Sequence, residues 1–358
     1  MKKTLLLTTA LIGNLLILGS VQAQTTISGE LKMTYKSVEG FGAGNSGKTQ
    51  SGFTSERQIN FANKGKLNNG LDYAAGFSLE ADGTGNFDGT EGNYFNIING
   101  NTTITVGMDH ILNGDYAIVP RAGAPMNEEI GISNGDAPTN GSGASNAGRG
   151  ATRAGLQYSQ GLGDNNEAMG IGVIQTIPSI GRLAVNYVPR IDDAAKTADT
   201  AVPTTAIGKS AYSIFFVGDL GVKGLQVALE KAENEKNLTD VTDQKVTAFG
   251  ASYTMGDFSI GAERQKFTDV TKAETETTEF GLTYKINNNA SAGIGTVKTE
   301  GKTAAGVREA HDEEIKYLQI GYNLGGISTQ LSVIDMENVA FAETSDAQAV
   351  VVKFATKF

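Results

Sequence analysis

The sequence predicts an all-β protein, a 16-stranded antiparallel transmembrane β-barrel with short turns at one end and long loops at the other. Three observations carry this. Apolar and polar residues alternate with period two through most of the chain. Past residue 23 no apolar run reaches the length of a spanning helix, and helices and closed barrels are the structures that satisfy every backbone polar group in lipid. The composition shows 46 glycines in 358 residues, no cysteine, no tryptophan and only 39 % hydrophobic residues. Strands that offer one face to lipid and the other to water have this modest hydrophobicity. A soluble sandwich of this length needs apolar faces on two sheets, and larger apolar side chains throughout.

From the N-terminus, residues 1–23 read as a secretory signal. Lys2 and Lys3 form a basic start, Leu5 to Leu18 an apolar stretch, and Val21-Gln22-Ala23 a small-x-small cleavage site. The apolar stretch is shorter than the roughly 20 residues of a membrane anchor. The barrel is therefore expected over residues 24–358.

Its first strand, ISGELKMTY, sets Ile27, Leu31, Met33 and Tyr35 against Ser28, Glu30, Lys32 and Thr34. The segment LDYAAGFSLEA puts Leu71, Tyr73, Phe77 and Leu79 on one face and Asp72, Ser78 and Glu80 on the other. EFGLTYKI and KYLQIGYNL repeat the pattern near the C-terminus. Separators alternate as well. Tight Gly/Asn/Asp turns fall at 68–70, 99–101, 256–257, 287–289 and 325–326. Longer polar loops fall at 40–52, 82–92, 190–209 and 301–312. Short turns at one end and long loops at the other are the layout of an outer-membrane barrel.

The expected spans are 25–37, 53–63, 71–82, 92–98, 102–108, 168–176, 182–189, 210–219, 224–234, 244–255, 257–267, 275–286, 290–299, 313–324, 327–336 and 346–358. Residues 153–160 also alternate, but a seventeenth span would break the even count of bacterial barrels. That segment is assigned to a loop, with 18 strands as the alternative.

The last strand ends in Phe358. Stepping back by two gives Thr356, Phe354, Val352 and Val350. This is similar to the C-terminal signal that barrel-assembly machinery reads. Together with ISGELKMTY, ERQINFANKGKLNNGLDYAAGFSLEA, NTTITVG and TIPSIGRLAVNYVP, it makes residues 24–358 resemble the Gram-negative general (trimeric) porins. The resemblance implies a homotrimer in the outer membrane, and a long third loop folded into the lumen as a constriction.

That loop would span about residues 108–167, with Asp109, Asp115, Arg121, Glu128 and Glu129 as candidate constriction residues. A connection of this length is usually functional. On the opposite wall the resemblance implies a basic cluster on the first strands, and here the chain departs from it. Glu30 follows Gly29, Gln58 takes the place of a lumenal arginine, and Met108 follows Gly107. Inward parity on the first three strands gives Glu30, Glu56, Asp72 and Glu80 against Lys32 and Lys36. The pore wall is thus expected to be acidic at Glu30, Glu56, Asp72 and Glu80, relieved by Lys32 and Gln58, and the pore weakly cation-preferring. Arg57 shares the outward parity of Phe53, Ile59 and Phe61, a costly place for an arginine unless it lies at a subunit contact.

Other signals are set aside. GAGNSGKT at 42–49 matches a phosphate-binding loop, but no buried strand precedes it and no helix follows. Residues 82–93 are rich in Asp and Gly but lack the spacing of a calcium-binding EF-hand loop. With two histidines, at 110 and 311, and no cysteine, metal-centre and triad chemistry have few ligands to work with. A net charge of −10 speaks against nucleic acid as a partner. The expected partners are outer-membrane lipid, small hydrophilic solutes and ions, and no cofactor is expected. The expected function is passive diffusion through a water-filled channel, with a surface receptor or adhesin, or a solute-specific channel, as alternatives.

Overall fold

The structure, a computed structural model, describes residues 24–40, 49–82, 90–107, 118–122, 170–188, 208–236, 244–268, 273–341, 343 and 346–358. The candidate signal segment, residues 153–160 and most of the third loop lie outside this set.

Sixteen strands are present among the described residues. They are β1 (Gln24–Glu39), β2 (Thr49–Lys66), β3 (Asp72–Asp82), β4 (Thr90–Asn99), β5 (Thr102–Gly107), β6 (Gly170–Ile177), β7 (Gly181–Val188) and β8 (Gly208–Gly218). There follow β9 (Leu225–Lys236), β10 (Gln244–Met255), β11 (Phe258–Thr268), β12 (Glu274–Lys285), β13 (Ala290–Lys302), β14 (Glu313–Asn323), β15 (Ser328–Glu337) and β16 (Ala347–Lys357). Each strand pairs antiparallel with its chain neighbours, and β1 pairs with β16, so the sheet closes on itself. The ring has no gap for a further pair, and closure removes the exposed edges that an open sheet would present to lipid.

Seven connections are short and fall at the end that also carries Gln24 and Phe358; the eight long ones fall at the other end. Gly70 and Gly256 take positive φ, 86° and 61°, in two of the tight turns, a conformation that costs glycine nothing. The strand limits agree with the sequence expectation except where the alternation fades. The β1–β2 pairing continues through Glu39↔Thr49, because polar residues sustain a ladder as well as apolar ones. At its other end β2 runs on to Lys66, three residues past the expected limit.

Register fixes which face each side chain takes. Ile27, Met33, Phe249, Ile294, Leu318 and Val350 point outward and stay exposed, as an apolar surface facing lipid does. Without tryptophan, the aromatic positions are filled by Tyr and Phe. Phe258 and Tyr284 pack at 4.7 Å near the short turns, and Tyr35 and Phe53 at 5.0 Å toward the long loops. Beyond the apolar band the outer face of β12–β15 becomes charged. Lys316 meets Glu337 at 2.8 Å, Lys298 meets Asp312 at 3.0 Å and Lys302 meets Glu274 at 3.2 Å. Such exposed pairs contribute little stability, but they mark where hydrocarbon gives way to headgroups. Arg57 is outward, opposite Leu31 and Ala81, as its parity requires.

The seam between β1 and β16 is closed by the C-terminus. Gly29 N donates to Phe358 O at 2.7 Å and Phe358 N to Gly29 O at 3.0 Å. A Cβ on Gly29 would collide with the Phe358 ring. Gly29→Val is therefore expected to push this ring off the seam and destabilise the barrel by about 1–3 kcal/mol. The check is the temperature at which the strand signal in circular dichroism is lost; an unchanged midpoint would mean the ring contributes nothing to closure.

Candidate functional site: the lumen and its inner loop segment

Residues 118–122, from the third loop, lie inside the barrel against the wall formed by β10–β15. The wall is prepared for them by inward glycines on successive strands. A Cβ on Gly250 would come 3.0 Å from Ile118 Cγ2, and one on Gly261 2.7 Å from Pro120 Cδ. One on Gly281 would come 2.5 Å from Val119 Cγ1, and one on Gly293 3.3 Å from the Ala122 nitrogen. The missing side chains form a shallow track that accepts the segment, and Ile118, Val119, Arg121 and Ala122 are buried on it. Ile118 also joins an apolar cluster with Val188, Phe215, Val217 and Val246 on β7–β10.

Polar contacts pin the segment. Arg121 Nη2 donates to both oxygens of Glu279, at 2.7 and 2.8 Å. Tyr317 Oη donates to Glu279 Oε1 at 3.1 Å, and Gln330 Nε2 to the carbonyl of Ala122 at 2.6 Å. The Arg121 and Glu279 side chains are each 1 % exposed. Burial pulls the Arg121 pKa down, but the Glu279 charge beside it and their hydrogen bonds outweigh burial and hold it above the ordinary value. In a dry pair each charge depends on the other.

The opposite wall is polar. Glu30, Lys32, Glu56, Gln58, Asp72 and Glu80 all lie on the inward face of β1–β3, as their parity implies. Lys32 Nζ donates to Glu56 at 2.8 and 3.1 Å. Gln58 Nε2 donates to Glu80 at 3.3 Å. Glu30 meets Lys357 of β16 at 3.4 Å, and Lys66 meets Asp72 at 2.7 Å. Of the candidate constriction residues, Arg121 is placed on the inner wall; Asp109, Asp115, Glu128 and Glu129 lie outside the described residues. Val350, Val352 and Phe354 are on the outward face of β16, and Phe358 sits at the seam.

Sequence reasoning missed the partners of the loop segment: Glu279, Tyr317, Gln330 and the glycine track. Inward glycines at matching heights on consecutive strands were the one available signal. It also left uncounted the inward Glu230, 5 % exposed against Phe215 and Ala248, whose two oxygens have no hydrogen-bond partner among the described residues.

A closed sixteen-stranded barrel, apolar outside and polar within, with a loop segment laid on its inner wall, is the architecture of an outer-membrane channel. Residues 8–340 match the family model described as Gram-negative porin, and the chain belongs to that family. Among solved structures it is similar to the anion-selective porin of Comamonas acidovorans, with 13 % identity over 94 % of this chain and 100 % of that one, at a TM-score of 0.65. It is also similar to the trimer form of OmpT from Vibrio cholerae, with 13 % identity, 94 % and 99 % coverage and a TM-score of 0.60. A triple mutant of the Rhodopseudomonas blastica porin gives 15 % identity, 94 % and 100 % coverage and a TM-score of 0.59. At these identities the likeness is one of fold. No curated protein matches the chain in sequence. The protein is an outer-membrane porin, and family and fold are those of channels rather than enzymes.

Proposed function

We propose that this porin carries small hydrophilic solutes and ions by passive diffusion, as a homotrimer, with a weak preference for cations. The observation that carries the reading is the 118–122 segment held flat on the β10–β15 wall while the opposite wall stays polar. A lumen so arranged is narrowed without being plugged by this segment. Residues 1–23 act as the export signal. Val350, Val352, Phe354 and Phe358 serve as the assembly signal. Asp109, Asp115, Glu128 and Glu129 complete the constriction with Arg121.

The preference rests on Glu30, Glu56 and Glu80 on the inward face of β1–β3. Of the two lysines on that part of β1, Lys32 is bonded to Glu56 and Lys36 is 4 % exposed. Fixed negative charge raises local cation concentration within a Debye length of about 8 Å at physiological salt. The purified protein in a planar bilayer should insert with conductance steps in triplets. Its reversal potential in a KCl gradient should give potassium about a twofold advantage over chloride, and Glu56→Lys with Glu80→Lys should remove it. Equal permeabilities in the unaltered protein would refute the preference. A complete lack of conductance would refute the channel and favour a receptor role.

A further inference from the structure

We infer that the turn after β15 is a second inward element of the channel, at its external mouth, and that Val339 and Phe341 set the size of solute that enters from outside. This inference rests on the channel reading above. β15 ends at Glu337, and Val339–Phe341 form one turn of 3-10 helix before β16 begins. The turn does not continue outward into water. Val339 is 8 % exposed and joins an apolar cluster with Val297, Ile315, Ile334, Met336 and Ala347. Val297, Ile315, Met336 and Ala347 form one cross-strand row over β13–β16. The row faces the lumen, because Ile315 shares the parity of Tyr317, whose hydroxyl reaches Glu279 beneath the third-loop segment.

Gly301 receives the Phe341 ring. A Cβ there would come 2.8 Å from Phe341 Cζ and 3.0 Å from Cε1. Gly301 has the parity of Gly293 on the same strand, so an inward glycine again takes a loop residue, as in the track under Ile118–Ala122. The two seats are eight residues apart on β13, about 26 Å along the strand at roughly 3.3 Å per residue. The third-loop segment lies toward the short turns and Phe341 at the long-loop end, so the two narrowings stand in series.

The backbone bears the strain of turning inward. Asn338 and Phe341 take positive φ, 53° and 64°. Asparagine tolerates this conformation, but a bulky aromatic rarely adopts it. Such strain persists where the surroundings over-determine it, and here they do. Asn338 Nδ2 donates to the Asp312 carbonyl at 3.0 Å, and Asn338 N to Asp346 Oδ1 at 3.0 Å. These bonds tie the turn to the residues that open β14 and β16. Phe341 N donates to Asn338 O at 2.8 Å. The barrel closes without the turn, since β15 and β16 pair directly from Ser328↔Ala355 to Met336↔Ala347. Its inward burial therefore shapes the mouth rather than the wall.

Polymer exclusion, read one side at a time, tests this. Asn288→Cys in a short turn supplies a thiol to a chain that has none. A membrane-impermeant thiol reagent then reports which side of a planar bilayer carries the short turns. Polyethylene glycols of graded mass are added to one side only, and those that enter that mouth lower the conductance. Phe341→Gly accepts the positive φ freely and removes the ring, so polymers about 1.5-fold heavier should enter from the external side. Gly301→Val, at a glycine without positive φ, drives the ring off its seat toward the pore axis and should lower the external limit. In the Phe341→Gly background it should lose that effect. The periplasmic limit should stay the same throughout. An external limit unchanged in either single variant, or limits that move equally on both sides, would overturn the inference and leave the channel reading standing. Loss of all conductance in the unaltered protein would overturn both.

Discussion

Arg121→Ala is expected to destabilise the porin by about 3–5 kcal/mol and to free the loop segment from the wall. The cost comes less from the lost attraction than from what is left behind. Glu279, with its side chain 1 % exposed, would keep one hydrogen bond, from Tyr317, and no cation against it. Glu279→Gln should be damaging for the converse reason, because it takes the bidentate carboxylate from a buried guanidinium. Replacing Arg121, Glu279 and Tyr317 together by Met, Leu and Phe should recover most of the loss, since a buried ion pair competes poorly with apolar packing of similar volume. Barrels often unfold irreversibly, so the comparison is one of thermal midpoints at a fixed scan rate. The order expected is unaltered protein and triple variant above, both single variants below. The single variants should also show noisier open-channel current, because Ile118–Ala122 would then have lost the bidentate pair that pins it beside Gln330. Equal midpoints for Arg121→Ala and the unaltered protein would mean the pair holds nothing in place.

The fold was largely legible because a barrel wall repeats one rule. Each strand needs alternation, and each separator is either tight or long. The family resemblance added the internal loop. What was not legible depends on distance in the chain. Arg121 and Glu279 are 158 residues apart, and nothing local to either names the other. The inward face of β2 continues past its apolar signal. Lys64 and Lys66 fall past residue 63, where the apolar signal of β2 stops, although its backbone pairing continues to Lys66↔Asp72. The acids of β9–β14 share the right parity but attract no attention one strand at a time. Only closure of the ring places Glu230, Glu263, Glu279 and Glu313 on one wall.

The glycine track yields the second large effect. Gly281→Val keeps a backbone conformation any residue can adopt, since this glycine has no positive φ, so β12 itself should still form. Its new Cβ would fall 2.5 Å from Val119 Cγ1, 3.0 Å from the Pro120 carbonyl oxygen and 3.0 Å from Tyr317 Oη. A flexible side chain could yield to the first contact; the second is backbone and moves only if the segment moves. The segment must therefore lift toward the pore axis, which narrows the lumen and lengthens the Arg121–Glu279 contact. Overpacking of this kind costs about 1–3 kcal/mol. The combination with Arg121→Ala should cost less than the sum, because the lifted segment has already given up the pair. Single-channel conductance should fall in Gly281→Val and stay unchanged in Gly326→Ala, whose Cβ would meet nothing within 4 Å. Full additivity of Gly281→Val and Arg121→Ala would show that track and ion pair hold the segment independently. Subadditivity, with lowered conductance, would show that one rigid seat, built from four glycines and a buried ion pair, sets the width of this pore.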